Sequence, residues 1–132
     1  MITITDVGII CPIGATLEEV RTRLPLGESP GMQENHNWLV GGKPTVVGMV
    51  DVPDLPFPEE FAPYDCRNNR LLLAVLQQVK ETVQRVIEQF GQDRVGIVIG
   101  TSTSGILSGE DLLIHLQQHG VPPRNYHYQQ QE

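Results

Sequence analysis

A chain of 132 residues and 14.7 kDa is long enough for one domain with its own core. Nine Lys and Arg against sixteen Asp and Glu give a formal charge of −7 and no basic stripe, which argues against a nucleic-acid partner. Cys11 and Cys66 are the two cysteines, each without a second thiol at zinc or redox spacing, as expected of a protein from the reducing cytoplasm, and residues 1–6 lack the features of a signal peptide or a membrane span.

Ile2, Ile4, Val7, Ile9 and Ile10 predict a first strand that stops at the turn Cys11-Pro-Ile-Gly14. Thr16 then stands as N-cap of a short helix holding Leu17, Val20 and Leu24, with Glu18 and Glu19 in the first turn and Arg21 and Arg23 near the end, the order that suits the helix dipole. Pro25 closes it. Residues 27–42 read as loop, with Trp38 as a packing anchor. Residues 45–52 read as an edge or hairpin strand, and Pro53, Pro56, Pro58 and Pro63 then demand an extended segment rather than a helix.

Asp65 can cap the helix predicted next. From about residue 68 to 90, Leu72, Val75, Leu76, Val79, Val83, Val86, Ile87 and Phe90 recur at intervals of three and four, and Gln77, Lys80, Glu81, Gln84, Arg85 and Glu88 form a solvated face. Gly91 sits where a C-terminal cap belongs. Val95, Ile97, Val98 and Ile99 predict a strand covered on both faces, breaking into Thr101-Ser-Thr-Ser104 between Gly100 and Gly105, a loop suited to lining a pocket. A last helix over residues 108–119 carries Leu112, Leu113 and Leu116 and ends at Gly120. Strands alternating with helices imply a layered α/β arrangement. The polar tail of residues 126–132 adds no element that would finish a sheet, so the chain is expected to be part of a longer one.

Chemistry-bearing side chains are sparse. His115 and His119 have the i, i+4 spacing that can share a metal, but no acid or thiol accompanies them in a recognisable pattern; a surface pair is the simpler reading, and no metal or other cofactor is expected. Cys66 precedes the long helix, whose dipole favours a thiolate, yet Asp65 opposes it and no histidine is near in sequence. Cys11 reads as a small buried side chain. The loop between Gly100 and Gly105 matches neither G-x-G-x-x-G nor the lysine-bearing phosphate loop, which leaves a nucleotide site weakly supported.

Four stretches in this order resemble the N-terminal part of a β-ketoacyl-[acyl-carrier-protein] synthase of the thiolase-like condensing enzymes. They are Val7-Gly-Ile-Ile-Cys-Pro-Ile-Gly14, with Cys11 where the family has a small polar residue; Leu24-Pro-Leu-Gly-Glu-Ser29; Arg67-Asn-Asn-Arg-Leu-Leu-Leu73; and Asp93-Arg-Val-Gly-Ile-Val-Ile-Gly-Thr-Ser-Thr-Ser-Gly105. The resemblance implies the N-terminal portion of a thiolase-like layered αβα fold, incomplete, with residues 1–132 a single synthase-like segment. It also implies decarboxylative Claisen condensation of an acyl thioester with malonyl-carrier protein in fatty acid or polyketide synthesis, with no cofactor. The implied partners are acyl carrier protein and either a second copy or a partner subunit.

The family's nucleophilic cysteine lies beyond the pocket loop. Neither Cys11 nor Cys66 aligns with it, and His115, His119 and His127 match neither family histidine. No catalytic residue is therefore expected here, and the isolated chain should be inactive. Only the acyl-pocket loop carries over, with Thr103 at the position that gates the acyl channel and Thr101 and Ser104 beside it. A non-catalytic partner subunit of the chain-length-factor type remains the alternative.

Overall fold

The computed structural model describes residues 2–39, 41–100, 106–124 and 126. Residues 2–10 run extended, and the run ends where Cys11 and Gly14 exchange backbone hydrogen bonds of 2.9 and 3.0 Å across a tight turn. Helix α1, Leu17–Arg23, follows as its capping residue predicts: Thr16 Oγ1 accepts from the Glu19 amide at 3.3 Å. Glu19 also reaches back past the cap, accepting from the Ala15 amide at 2.7 Å, a variant of the capping box displaced by one residue. Pro25 ends the α-helix by tightening Leu24–Leu26 into a 3₁₀ turn.

Strand β1, Met32–Asn35, lies where the sequence reads as loop. It pairs antiparallel with β2, Thr45–Gly48, in the register Met32 to Gly48 and Asn35 to Thr45. The base of this hairpin docks on the first turn: the Gly31 amide donates to Pro12 O and the Met49 amide to Gly31 O, each at 2.8 Å. The Gly31 backbone lies so close to Pro12 and Met49 that a side chain there would collide with main-chain atoms. Trp38 lies in the hairpin loop and is 60% exposed, so it is not the buried anchor its size suggests.

The proline-rich segment is not extended throughout. A 3₁₀ helix, Glu59–Tyr64, forms there with Pro63 inside it, because the short i to i+3 pattern leaves few amides for a proline to remove. Helix α2, Arg67–Phe90, is capped by Cys66 rather than Asp65: Cys66 Sγ accepts from the Asn69 amide at 3.3 Å, while Asp65 pairs with Arg70. Gly91 closes α2, its N–H donating to Ile87 O at 2.8 Å, as its position predicts. Helix α3, Ile106–His119, begins two residues earlier than the leucine pattern indicates.

α2 is the platform on which the N-terminal run lies. A Cβ on Gly8 would stand 2.6 Å from Val75 O, so only glycine permits this approach. Val20 and Ala74 are the buried apolar residues among those described. Residues 95–100 are extended but have no strand partner among the described residues, and Ile97, Val98 and Ile99 are 84%, 98% and 69% exposed. The expected strand over residues 2–10 is likewise extended without a ladder. Both segments have the sequence of buried strands, yet neither is covered and paired as a strand among the described residues.

Candidate functional site

Gln78 of α2 organises the region around the first turn. Its amide faces Ile9 as a neighbouring strand would, accepting from Ile9 N and donating to Ile9 O, both at 3.1 Å, and it also donates to Ala15 O at 2.9 Å. One side chain thus fixes both ends of the turn that carries Cys11. Earlier in the run, Thr82 Oγ1 donates to Asp6 Oδ2 at 2.6 Å, and Arg85 donates to Thr82 at 3.2 Å. The Thr82 bond, with the Val7 amide and the nearby Arg85 charge, holds the Asp6 carboxyl below its usual value.

Two concavities result. One, of about 210 Å³, is bounded by the turn from Ile10 to Ala15, by Glu19 and Arg23 of α1, and by Met49 and Asp51 after β2. Cys11 lines it and is half-buried rather than enclosed, contrary to the simplest reading of its apolar neighbours. Arg23 is already engaged there, donating to Ile13 O at 2.8 Å and to Glu19 at 3.5 Å. The other, of about 240 Å³, separates Thr5 and Asp6 from Val95 above Val79, Thr82, Val83 and Val86 of α2. It is the gap between the two extended segments.

The start of α2 binds the proline-rich segment. Arg67 donates to Val50 O at 2.8 Å, Asn69 to Tyr64 O at 2.9 Å, and Arg70 to Leu55 O at 3.3 Å. Arg70 also forks onto both oxygens of Asp65 and lies 5.8 Å from the centre of the Phe57 ring. The bond from Arg70 holds the Asp65 carboxyl below its ordinary range, and the same bond raises Arg70 further. Arg67 and Arg70 are therefore structural clamps.

Thr101, Thr103 and Ser104, the expected acyl-pocket residues, lie outside the described residues, as does His127. Cys11 and Cys66 are not brought to one site: the first lines the turn cavity and the second caps α2. Among the described residues no cluster of three or more His, Cys, Asp or Glu side chains is placed to hold a metal, and no helix is long and apolar enough to cross a membrane. Sequence reasoning passed over Gln78 and Thr82, although polar residues at the α2 positions one and two turns after Val75 on the same face are a signal of buried or bridging roles.

No protein-family model and no curated protein matches the chain. Among solved structures, the complex of the ketosynthase ApeO with its chain length factor ApeC from Xenorhabdus doucetiae is similar, with a TM-score of 0.77 and 35% identity over 98% of this chain. The chain spans 33% of the length of the chain it matches there. Fold and comparison together define the class: an incomplete portion of a thiolase-like, ketosynthase-related α/β fold. More particularly, the likeness is to the ketosynthase and chain-length-factor pair, with no distinction between its two members.

Proposed function

We propose that this chain is the N-terminal segment of a β-ketoacyl synthase that condenses an acyl thioester with malonyl-carrier protein, and that its loop at Thr101, Thr103 and Ser104 forms one wall of the acyl pocket. The observation that carries the reading is the 35% identity over 98% of this chain to a chain of the ketosynthase–chain length factor complex. The exposed, strand-forming segments on either side of α2 support it, because they need the rest of a layered sheet. In this reading the thioester cysteine, the histidines that polarise the thioester carbonyl and the oxyanion hole come from polypeptide beyond residue 132. Acyl carrier protein is the donor, and the protein works in the cytoplasm as a homodimer or with a partner subunit.

A chain-length-factor-like subunit is the second reading, favoured by the composition of the matched complex, in which a ketosynthase is bound to such a factor. One experiment addresses both. Acyl carrier protein bearing a radiolabelled acyl group is incubated with the 132-residue chain and with the complete polypeptide of its reading frame. The synthase reading expects no stable thioester on Cys11 or Cys66 and a labelled cysteine beyond residue 132. A complete polypeptide that takes no label supports the factor-like reading, and label on Cys11 or Cys66 refutes both.

A further inference from the structure

Within α3, His115 and His119 are one helical turn apart, and their ring centres lie 4.3 Å apart with the planes tilted by 45°. Two metal–imidazole bonds of about 2.0–2.1 Å at a tetrahedral angle separate the two nitrogens by about 3.4 Å. Rings whose centres are 4.3 Å apart reach that separation by side-chain rotation alone, with the helix backbone unchanged. We propose that His115 and His119 form a two-imidazole chelate for a borderline divalent cation such as Zn²⁺, Ni²⁺ or Cu²⁺.

Three observations converge on it. Helical spacing pre-orients both ligands, so little ordering entropy is lost when the second nitrogen binds. His119 is the last residue of α3, where the partial negative charge of the helix C-terminus favours a cation. Acidic Glu110 and Asp111 lie earlier on the same helix of a chain with formal charge −7, a field that attracts cations. Imidazole donors select zinc, nickel or copper over magnesium and calcium, which take oxygen ligands. No third His, Cys, Asp or Glu joins the pair among the described residues, so the remaining coordination positions fall to water or to a donor from another molecule. The site is distinct from the turn cavity and does not depend on the condensing-enzyme reading.

The test is a ZnCl₂ titration of the untagged full chain by calorimetry in a non-chelating buffer, with side-chain NMR of the histidines. One zinc is expected per chain, with the His115 and His119 ring signals shifting together. His115→Gln and His119→Gln should each weaken binding about 100-fold, the low end of what a second linked contact contributes, while His36→Gln and His127→Gln leave it unchanged. Wild-type affinity in the His115→Gln/His119→Gln double variant overturns the proposal, as does loss that follows His36 or His127. Should the variants unfold, ring signals of His115 and His119 that stay fixed in the wild-type chain overturn it equally.

Discussion

Replacing Gln78 by leucine removes three hydrogen bonds at once, those with Ile9 N, Ile9 O and Ala15 O, with a side chain one atom shorter and similar helix propensity. Each bond is worth about 0.5–1.5 kcal/mol net, and the lower figure applies because water can reach these groups once the amide is gone. The expected loss is about 1.5 kcal/mol, which at an m-value of about 1.5 kcal/mol/M moves the urea midpoint down by about 1 M. Amide exchange should localise the effect. The Ile9 amide is expected to lose protection in Gln78→Leu, because its partner is the Gln78 oxygen. Gln78→Glu keeps that acceptor but loses both donors and sets a charge against two carbonyls, so it should be at least as unstable as Gln78→Leu. A Gln78→Leu midpoint within about 0.2 M of wild type, with unchanged exchange at Ile9, would refute the claim that Gln78 fixes the first turn.

Gly8→Ala should cost about 1–3 kcal/mol by forcing the N-terminal run off α2, and Val75→Ala should not rescue it, because the obstructing atom is the backbone oxygen; urea melts of the single and double variants measure this. Asp6 and Asp65 titrate below the ordinary 3.8 when folded, so their stabilising contribution is complete well above pH 3.8 and is lost as the pH falls through their lowered values. Stability measured from about pH 6 down to about pH 2 should therefore decline in the acid limb, and Asp65→Asn should flatten that limb. On the proposed reading of Thr103 as part of an acyl-pocket wall, Thr103→Phe in a synthase containing this segment should shorten the longest acyl group accepted, read by product chain length, with no change in the shortest.

Local signals explain why some elements were legible. Thr16 with Glu19 marks the start of α1, and the three-and-four spacing from Leu72 to Phe90 places α2 to within one residue at its start. Both are settled by residues a few positions apart. β1 could not be read because Met32-Gln-Glu-Asn35 has no alternating apolar pattern; its strand character comes from pairing with β2 across the hairpin. Likewise Cys66 displaced Asp65 as the α2 cap because Arg70, five residues on, engages both Asp65 oxygens, a competition visible only in three dimensions. The assignment of Thr101, Thr103 and Ser104 to an acyl pocket rests on resemblance alone, since a run of Thr and Ser between glycines has no chemistry of its own until reacting groups face it, and these residues lie outside the described ones.

The two strand-like segments show that a sequence can carry a strand pattern that stays unpaired among the described residues. A compact monomer of this mass exposes about 6,900 Å², whereas this chain exposes 10967 Å². The excess is about 4,000 Å², within the range of interfaces that form permanently. The stripe Leu72, Leu76, Val83, Ile87 and Phe90 on α2 contributes to it, as do Ile2, Ile4 and Ile97–Ile99. Against an unfolded surface of about 21,000 Å², folding of this chain buries about 10,300 Å² in place of about 14,400 Å² for a compact domain. Since the urea m-value scales with that area, the isolated chain should unfold with about 0.7 of the m-value of a compact protein of its length. On the proposed reading, adding the sheet-forming polypeptide of a synthase should restore the missing part, with protection appearing at the amides of Ile97, Val98 and Ile99. An isolated chain with the full m-value and protected amides at those residues would mean that the segments are paired without help, and the argument for a covering sheet would fail.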